Sequence, residues 1–338
     1  MPMSEIGVIA LEALIKSAIM AFTLLTGFAY LTLAERKVVA WLQVRLGPNR
    51  AGPWGLLQPA ADGVKLLFKE EFIPAGANKI IFVLAPIITV IPAFIILAVV
   101  PIGPDVELFG RTIRLGLSDI NVGVLYILSV ASIAVYGIVL AGWSSANKYS
   151  MMGGLRSSAQ MVSYEIALGL AIVGPILLAG SLSLKDIIVA QQNSTWFVVM
   201  QPIGALVFFL ATLAEVNRSP FDMPEAEQEL TAGYHTEYSG MKFSLFFMAE
   251  YIKMIAVSAI TVTLFFGGYL GPFVGQIPWL GIVYFSLKTA FFLFLMLWIR
   301  ATLPRLRYDQ LMDFGWKTML PLALANVVIT AVVVVLTT

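Results

Sequence analysis

MVSYEIALGLAIVGPILLAGS, residues 161–181, is an apolar run long enough to cross a bilayer, and it contains one formal charge, Glu165. A membrane-spanning helix needs about 20 mainly apolar residues, because it rises only about 1.5 Å per residue across a hydrocarbon layer of about 30 Å. The same test carried outward along the chain finds seven more runs: 9–33, 80–100, 122–141, 196–214, 243–268, 280–299 and 319–336. The first run has Glu5 and Glu12 ahead of Lys16, unlike the basic start of a secretory signal, so it is expected to remain as a span. The predicted fold class is all-α: a polytopic membrane protein with about eight transmembrane helices, forming a single membrane domain over residues 1–338.

Composition agrees. Of the 338 residues, 59% are hydrophobic and 12% charged, and the mean hydropathy is +0.89. A net charge of +1 leaves no basic surface for nucleic acid, which is excluded as a partner. With no Cys and a single His, the chain lacks the ligands of iron–sulfur clusters, zinc sites and bis-His haem, so it is not expected to carry electrons itself. Walker-type and Rossmann glycine motifs are absent from the sequence, as are H-E-x-x-H and EF-hand spacings. Most of the 21 basic residues fall in alternate loops, whereas the intervening loops hold only Arg111, Arg114 and Lys185. By the positive-inside rule, both termini are expected on the non-cytoplasmic side.

Between the first two spans, Gln58, Asp62, Lys65 and Lys69 recur at helical spacing opposite a stripe of Leu57, Ala61, Val64 and Phe68. Pro59 suits only the first turn of such a helix. Residues 54–69 therefore read as an amphipathic helix at the cytoplasmic interface, either a surface anchor or the wall of a lipid-side cavity.

A charge at the centre of a span costs about 2.5 to 3.5 kcal/mol on insertion scales, so each one calls for a reason. Glu165 and Glu250 lie within spans, and Glu35 and Glu215 lie at cytoplasmic span ends. Buried carboxyls of this kind suit a proton path. The competing reading is neutralisation by neighbours: Glu250 has Lys253 three residues on, and Glu12 has Lys16 four residues on. Glu165 has no such neighbour. The densest polar segment is the loop 215–242, EVNRSPFDMPEAEQELTAGYHTEYSGMK, with Glu215, Arg218, Asp222, Glu225, Glu227, Glu229, Glu237, Lys242 and the only histidine, His235. Pro220 and Pro224 bar one continuous helix, so this segment either folds against a partner or polar cavity or lies solvated. Arg300, Arg305 and Arg307, in the loop before the last span, are adequately explained as positive-inside anchors.

Four segments carry a resemblance beyond these physical readings. AERKVVAWLQVRLGPNRAGPWGLLQPAADGVKLLFKE, AGWSSANKYSMMGGLRSSAQMVSYE, SPFDMPEAEQELTAGYHTEYSGMKF and IRATLPRLRYDQLMDFGWK, in that order, resemble the signature segments of one family. It is the H subunit of bacterial NADH:quinone oxidoreductase, respiratory complex I, whose mitochondrial counterpart is NADH dehydrogenase subunit 1. The resemblance implies a non-redox subunit of a proton-translocating enzyme in the bacterial cell inner membrane, joining the membrane arm to the peripheral arm. It implies quinone as substrate, no cofactor on this chain, and FMN and iron–sulfur clusters in partner subunits. The implied neighbours are the quinone-chamber and iron–sulfur subunits of the peripheral arm, small membrane-arm subunits, and membrane lipid. Glu35, Arg36, Arg45, Arg50 and Asp62 would lie near the quinone entrance. Arg218, Glu225, Glu227 and Glu229, with Glu215, would lie along the inner chamber. Glu165, Glu215 and Glu250 would handle the coupled protons. One departure stands out: where some members carry an acid in the third span, this chain has Ser132. The resemblance also leaves open the related membrane subunit of an energy-converting hydrogenase, and the midplane charges and Gly- or Pro-interrupted helices suit a stand-alone secondary transporter too. A structural anchor for a peripheral arm is a third.

Overall fold

The computed structural model describes residues 3–108, 111–223 and 233–337. The chain folds as α1 (Met3–Leu42), α2 (Gln58–Leu67), α3 (Lys79–Ile96), β1 (Val106–Leu108), β2 (Arg111–Ile113), α4 (Gly123–Ser144), α5 (Lys148–Ala179) and α6 (Leu184–Asn193), then α7 (Phe197–Met200), α8 (Pro202–Glu215), α9 (Gly240–Phe265), α10 (Leu280–Thr302), α11 (Tyr308–Phe314) and α12 (Leu320–Thr337). The all-α polytopic architecture expected from the sequence is present. The only strands among the described residues are β1 and β2, a short antiparallel ribbon pairing Val106 with Ile113 between α3 and α4.

Seven helical stretches among the described residues are long and apolar enough to cross a membrane unaided. The remaining expected span is broken. Gln201 leaves helical geometry at φ −134° and ψ 62°, because Pro202 restricts the residue before it and starts α8 afresh. The 14 residues of α8 rise about 21 Å, short of the hydrocarbon thickness. Two other helices outrun their apolar cores. The apolar part of α1 continues as helix to Leu42, so Glu35 and Arg36 stand on a rigid helix and not in a loop. Likewise α5 begins at Lys148, well before its apolar run.

Small residues bring the helices close, as expected where lipid leaves little hydrophobic drive between spans. A Cβ on Gly137 of α4 would collide with Thr89 Oγ1 of α3. In the α4–α5 hairpin, a Cβ on Gly142 would lie 3.2 Å from the Gly154 Cα, and Asn147 caps α5 by accepting from the Tyr149 amide at 2.9 Å. The core helix is α9, with 72% of its apolar window buried against 11% for α1. Its C-terminal end is fastened by two polar side chains. Lys288 donates to the carbonyls of Phe266, Gly268 and Leu270 at 2.8, 3.1 and 2.7 Å, and Gln191 accepts from the Gly267 amide at 2.8 Å while donating to Thr263 O at 2.9 Å. These bonds satisfy groups that lipid cannot. A π-helical turn over Gly315–Met319 joins α11 to α12, where Gly315 packs on the ring of Tyr164 and the Tyr164 hydroxyl donates to Leu311 O at 2.8 Å.

Outside this bundle, α2 exposes its apolar residues: none is buried, and Leu57, Val64 and Phe68 are open to the surroundings. An amphipathic segment of this composition is suited to a membrane surface.

Candidate functional site

The site forms where α8 ends. Asn217 takes the left-handed conformation at φ 58°, its amide donating to Ala214 O at 3.2 Å while the Arg218 amide donates to Leu213 O at 3.3 Å. This is the Schellman pattern, with Asn serving where glycine is commoner. It turns the chain back into the bundle instead of out toward solvent. From α5, the fully buried Gln160 then clamps the segment, its Nε2 donating to Ala214 O at 2.8 Å and Phe221 O at 2.6 Å. Residues 218–223 are consequently buried, although they belong to the most polar loop of the chain.

The reversal aims Arg218 at two acids on different helices. Its Nη1 lies 3.1 Å from Glu35 Oε1 on α1 and its Nε 2.5 Å from Glu250 Oε1 on α9, with the guanidinium 4.4 Å from the centre of the Tyr251 ring. Arg300 of α10 also pairs with Glu35. Beside them, Lys253 pairs with Glu215, Nζ to Oε1 at 2.9 Å, and donates to the Glu215 carbonyl at 3.1 Å. Three carboxylates and three cations thus balance in a low-dielectric setting, where each charge depends on its partner. Local neutralisation of Glu250 by Lys253 does not occur: both residues take partners from α8 and the segment after it. The surface pair Glu12–Lys16 does form, at 2.5 Å. Asp222, from the same buried segment, pairs with Arg305 at 2.8 Å.

A cavity with about 40 Å³ of water-sized space opens against these pairs, lined by Glu215, Asn217, His235, Glu250 and Lys253 and by apolar residues of α3, α4 and α5. Glu165 is not among its lining residues. Its carboxyl meets the Ser132 hydroxyl across α4–α5, and that hydroxyl is also 3.0 Å from Leu128 O. Ser132 is therefore in direct contact with an in-span carboxylate that has no basic residue three or four positions away in sequence.

A second, open cavity of about 320 Å³ lies on the α1 side, lined by Glu35, Arg36, Val39, Arg45, Pro48 and Arg300. Arg36 Nη1 bonds Asp62 Oδ2 at 2.7 Å, tying α1 to α2, and Asp62 also accepts from Gln58 at 3.3 Å and faces Lys65 at 3.7 Å. Glu35 borders this outer cavity and holds Arg218 on its inner side. Of the residues assigned to the entrance, Arg45 lines this cavity and contacts Gln43 at 2.7 Å, while Arg50 is exposed on the following turn. Glu225, Glu227 and Glu229 lie outside the described residues.

Four contributors to the site are not legible as such in the sequence. Arg300 read as a positive-inside anchor, Lys253 as the partner of Glu250, and Gln160 and Tyr251 carried no signal at all. The available hints were the in-span position of Lys253 and the Arg300 at a helix end facing apolar neighbours. Among the described residues no group of three or more His, Cys, Asp or Glu side chains is placed to hold a metal ion.

Known proteins share this sequence over most of its length. The family model described as NADH dehydrogenase matches residues 15–331. The chain is 55% identical over 306 residues to the NADH-quinone oxidoreductase H subunit of Protochlamydia amoebophila, covering 90% of this chain and 92% of that one. It is 54% identical to one of the H subunits of Geobacter sulfurreducens, over 94% of this chain and 92% of that protein. It is 50% identical to the H subunit of Thermomicrobium roseum, over 95% and 97% respectively.

Proposed function

This chain belongs to the NADH dehydrogenase family, as an H subunit of NADH-quinone oxidoreductase, and on that premise we propose that it borders the quinone path and couples quinone reduction to proton movement through Glu35, Glu215, Glu250 and Glu165. The observation that carries the reading is Arg218 shared between Glu35, which borders the outer cavity, and Glu250, which borders the inner one.

Reduction of a quinone consumes two electrons and two protons. In this reading the electrons arrive from FMN and iron–sulfur clusters on the peripheral-arm subunits, which agrees with the absence of Cys from this chain. A charge change on the Glu35 side alters the pull on Arg218, and that change is felt at Glu250 because one guanidinium serves both acids. Glu215 and Lys253 then respond as the next pair along the cavity. On the outer side, Arg36–Asp62 fixes α2 against α1, so the exposed apolar face of α2 and the open cavity together suit lateral entry of a hydrocarbon tail from lipid. In this reading Arg36, Arg45, Arg50 and Asp62 flank the entrance, and Glu225, Glu227 and Glu229 continue the inner chamber toward the peripheral subunits. The basic clusters lie on the cytoplasmic side of a bacterial cell inner membrane, with both termini on the opposite side.

The deciding experiment replaces Glu215 and Glu250 singly by Gln in the complete complex. NADH:quinone turnover and proton pumping in proteoliposomes should fall together by about tenfold or more, the usual scale for losing a group that relays a proton. Electron transfer from NADH to ferricyanide, which bypasses the quinone, should persist. Full quinone turnover with full pumping in both variants would remove the coupling role from these acids.

A further inference from the structure

His235, the only histidine of the chain, packs among aromatic side chains. Its ring centroid lies 4.8 Å from that of Tyr234, 5.3 Å from Phe243 and 6.1 Å from Phe247. In such a cage a phenyl ring would make the same contacts without polar atoms to satisfy. The imidazole residue is nevertheless only 6% exposed, and its Nδ1 has no hydrogen-bond partner among the described residues. A buried polar atom without a partner is destabilising, and a polar occupant beside the ring would offset that cost.

His235 lines the inner cavity together with Glu215, Asn217, Glu250 and Lys253. Asn217 brings a second orphan to the same cavity: its Nδ2 contacts Met161 Sδ at 3.5 Å, but its Oδ1 has no partner among the described residues. The space of about 40 Å³ is room for roughly three waters at 10 to 15 Å³ each. We infer that His235 is a positioning residue that, with Asn217, anchors a short chain of water between Glu215 and Glu250. Burial pushes the imidazole down to about 4, so it is neutral at physiological pH and its Nδ1 can meet a water without adding charge beside Lys253 and Arg218. The 3₁₀ turn that carries it is held in place by close packing, since a Cβ on Gly153 of α5 would lie 2.6 Å from Gly233 Cα, and by Ser150 Oγ donating to Tyr234 O at 2.9 Å.

This inference rests on the reading of Glu215 and Glu250 as proton-handling groups. Two variants of the complete complex separate hydrogen bonding from packing, because His235→Phe keeps the ring and loses both nitrogens, whereas His235→Gln loses the ring and keeps a donor and an acceptor. Both are assayed for NADH:ferricyanide activity, for quinone KM and for NADH:quinone turnover with pumping. The expected result is intact ferricyanide activity and KM in both, with turnover lowered about tenfold in H235F and at least about half retained in H235Q, the scale of one hydrogen bond lost from a proton path. Parental turnover in H235F, or H235Q slower than H235F, would overturn the inference and make the residue a packing element. Should H235F fail to assemble, H235Q decides alone: about half of parental turnover supports the anchor and a loss of about tenfold overturns it. Glu215→Gln, run in parallel, tests the underlying reading separately: full coupled turnover there removes the acids from the path whatever the His235 variants give.

Discussion

Lys253 pairs with Glu215, 38 residues earlier in the chain, and its ammonium reaches both the Glu215 carboxylate and the Glu215 carbonyl, at 2.9 and 3.1 Å. Glu250, one turn away on the same helix, is committed to Arg218. One helix face therefore presents an acid and a base three residues apart that belong to two separate pairs. The turn at Asn217 makes this possible, because it brings Glu215 and Arg218 from one short segment to adjacent levels of α9.

The pairing predicts which second substitution repairs a first. Removing one partner of a buried ion pair costs about 3 to 5 kcal/mol, chiefly through the charge left behind. Lys253→Met should lower the thermal stability of the complex strongly. Adding Glu215→Gln should restore most of it, and adding Glu250→Gln should restore little. Equal repair by either Gln would mean that Lys253 serves both acids.

Arg218 predicts a difference between charge and geometry. Its fork reaches Glu35 and Glu250 from two nitrogens while its face rests on Tyr251, and a lysine is a point donor that cannot do all three. Arg218→Lys should assemble but lose about tenfold or more of NADH:quinone turnover, with ferricyanide reduction preserved. A lysine variant as active as the parent would reduce Arg218 to a generic counter-charge.

How much of this was legible in the sequence follows from the range of each interaction. Apolar run length is local, so residues 161–181 and their counterparts could be read directly, and the period of Asp62 and Lys65 against Ala61 and Val64 exposed α2. Helix ends were harder. Glu35, Arg36 and Lys37 end the apolar run of α1 but favour helix as well as loop, so the helix continues to Leu42. The break before α8 had a signal in Pro202 that its apolar surroundings masked. The ion pairs were out of reach, since Arg218 and Glu35 are 183 residues apart and Arg300 and Glu35 are 265 apart. Only the folded bundle decides which charges meet, and the i,i+3 rule, drawn from isolated helices, pointed to the wrong partner for Lys253.

Glu71 predicts a pH dependence at the start of α9. Its Oε2 lies 2.5 Å from Lys242 Nζ and its Oε1 accepts from the Met241 amide at 3.0 Å, so the loop after α2 caps α9. The hydrogen bond from Lys242 is the main cause holding its carboxyl below the ordinary value of 4.5. A lowered folded pKa gives stability that is present above the unfolded value and lost as pH falls through the folded one. Glu71 is about one-third exposed, so solvent screening keeps the effect below about 1 kcal/mol. Glu71→Gln should melt slightly below the parent at neutral pH, with the gap closing as pH falls below 4.5. A gap that persists in acid would assign the loss to the cap's hydrogen bonds alone.

Glu165 gives the sharpest test of proton handling. Ser132 Oγ contacts both the Glu165 carboxyl and Leu128 O, yet a hydroxyl has one proton to give. Both contacts become full two-centre hydrogen bonds when Glu165 carries a proton and donates it to Ser132, which then donates to Leu128; otherwise the one hydroxyl proton is shared or goes to a single acceptor. With Glu165 ionised, the carboxylate draws that proton at the expense of the carbonyl. A change of charge on Glu165 would thus be expected to turn the serine hydroxyl. Glu165→Gln keeps a donor for Ser132 but fixes the charge at zero, so the complex should assemble while NADH:quinone turnover and pumping fall together by about tenfold or more. Ser132→Ala leaves the acid able to change charge and removes only its partner, so the loss should be smaller, about the worth of a single hydrogen bond. If E165Q pumps and turns over like the parent while S132A does not, the polar contact matters for packing and Glu165 is a structural carboxyl.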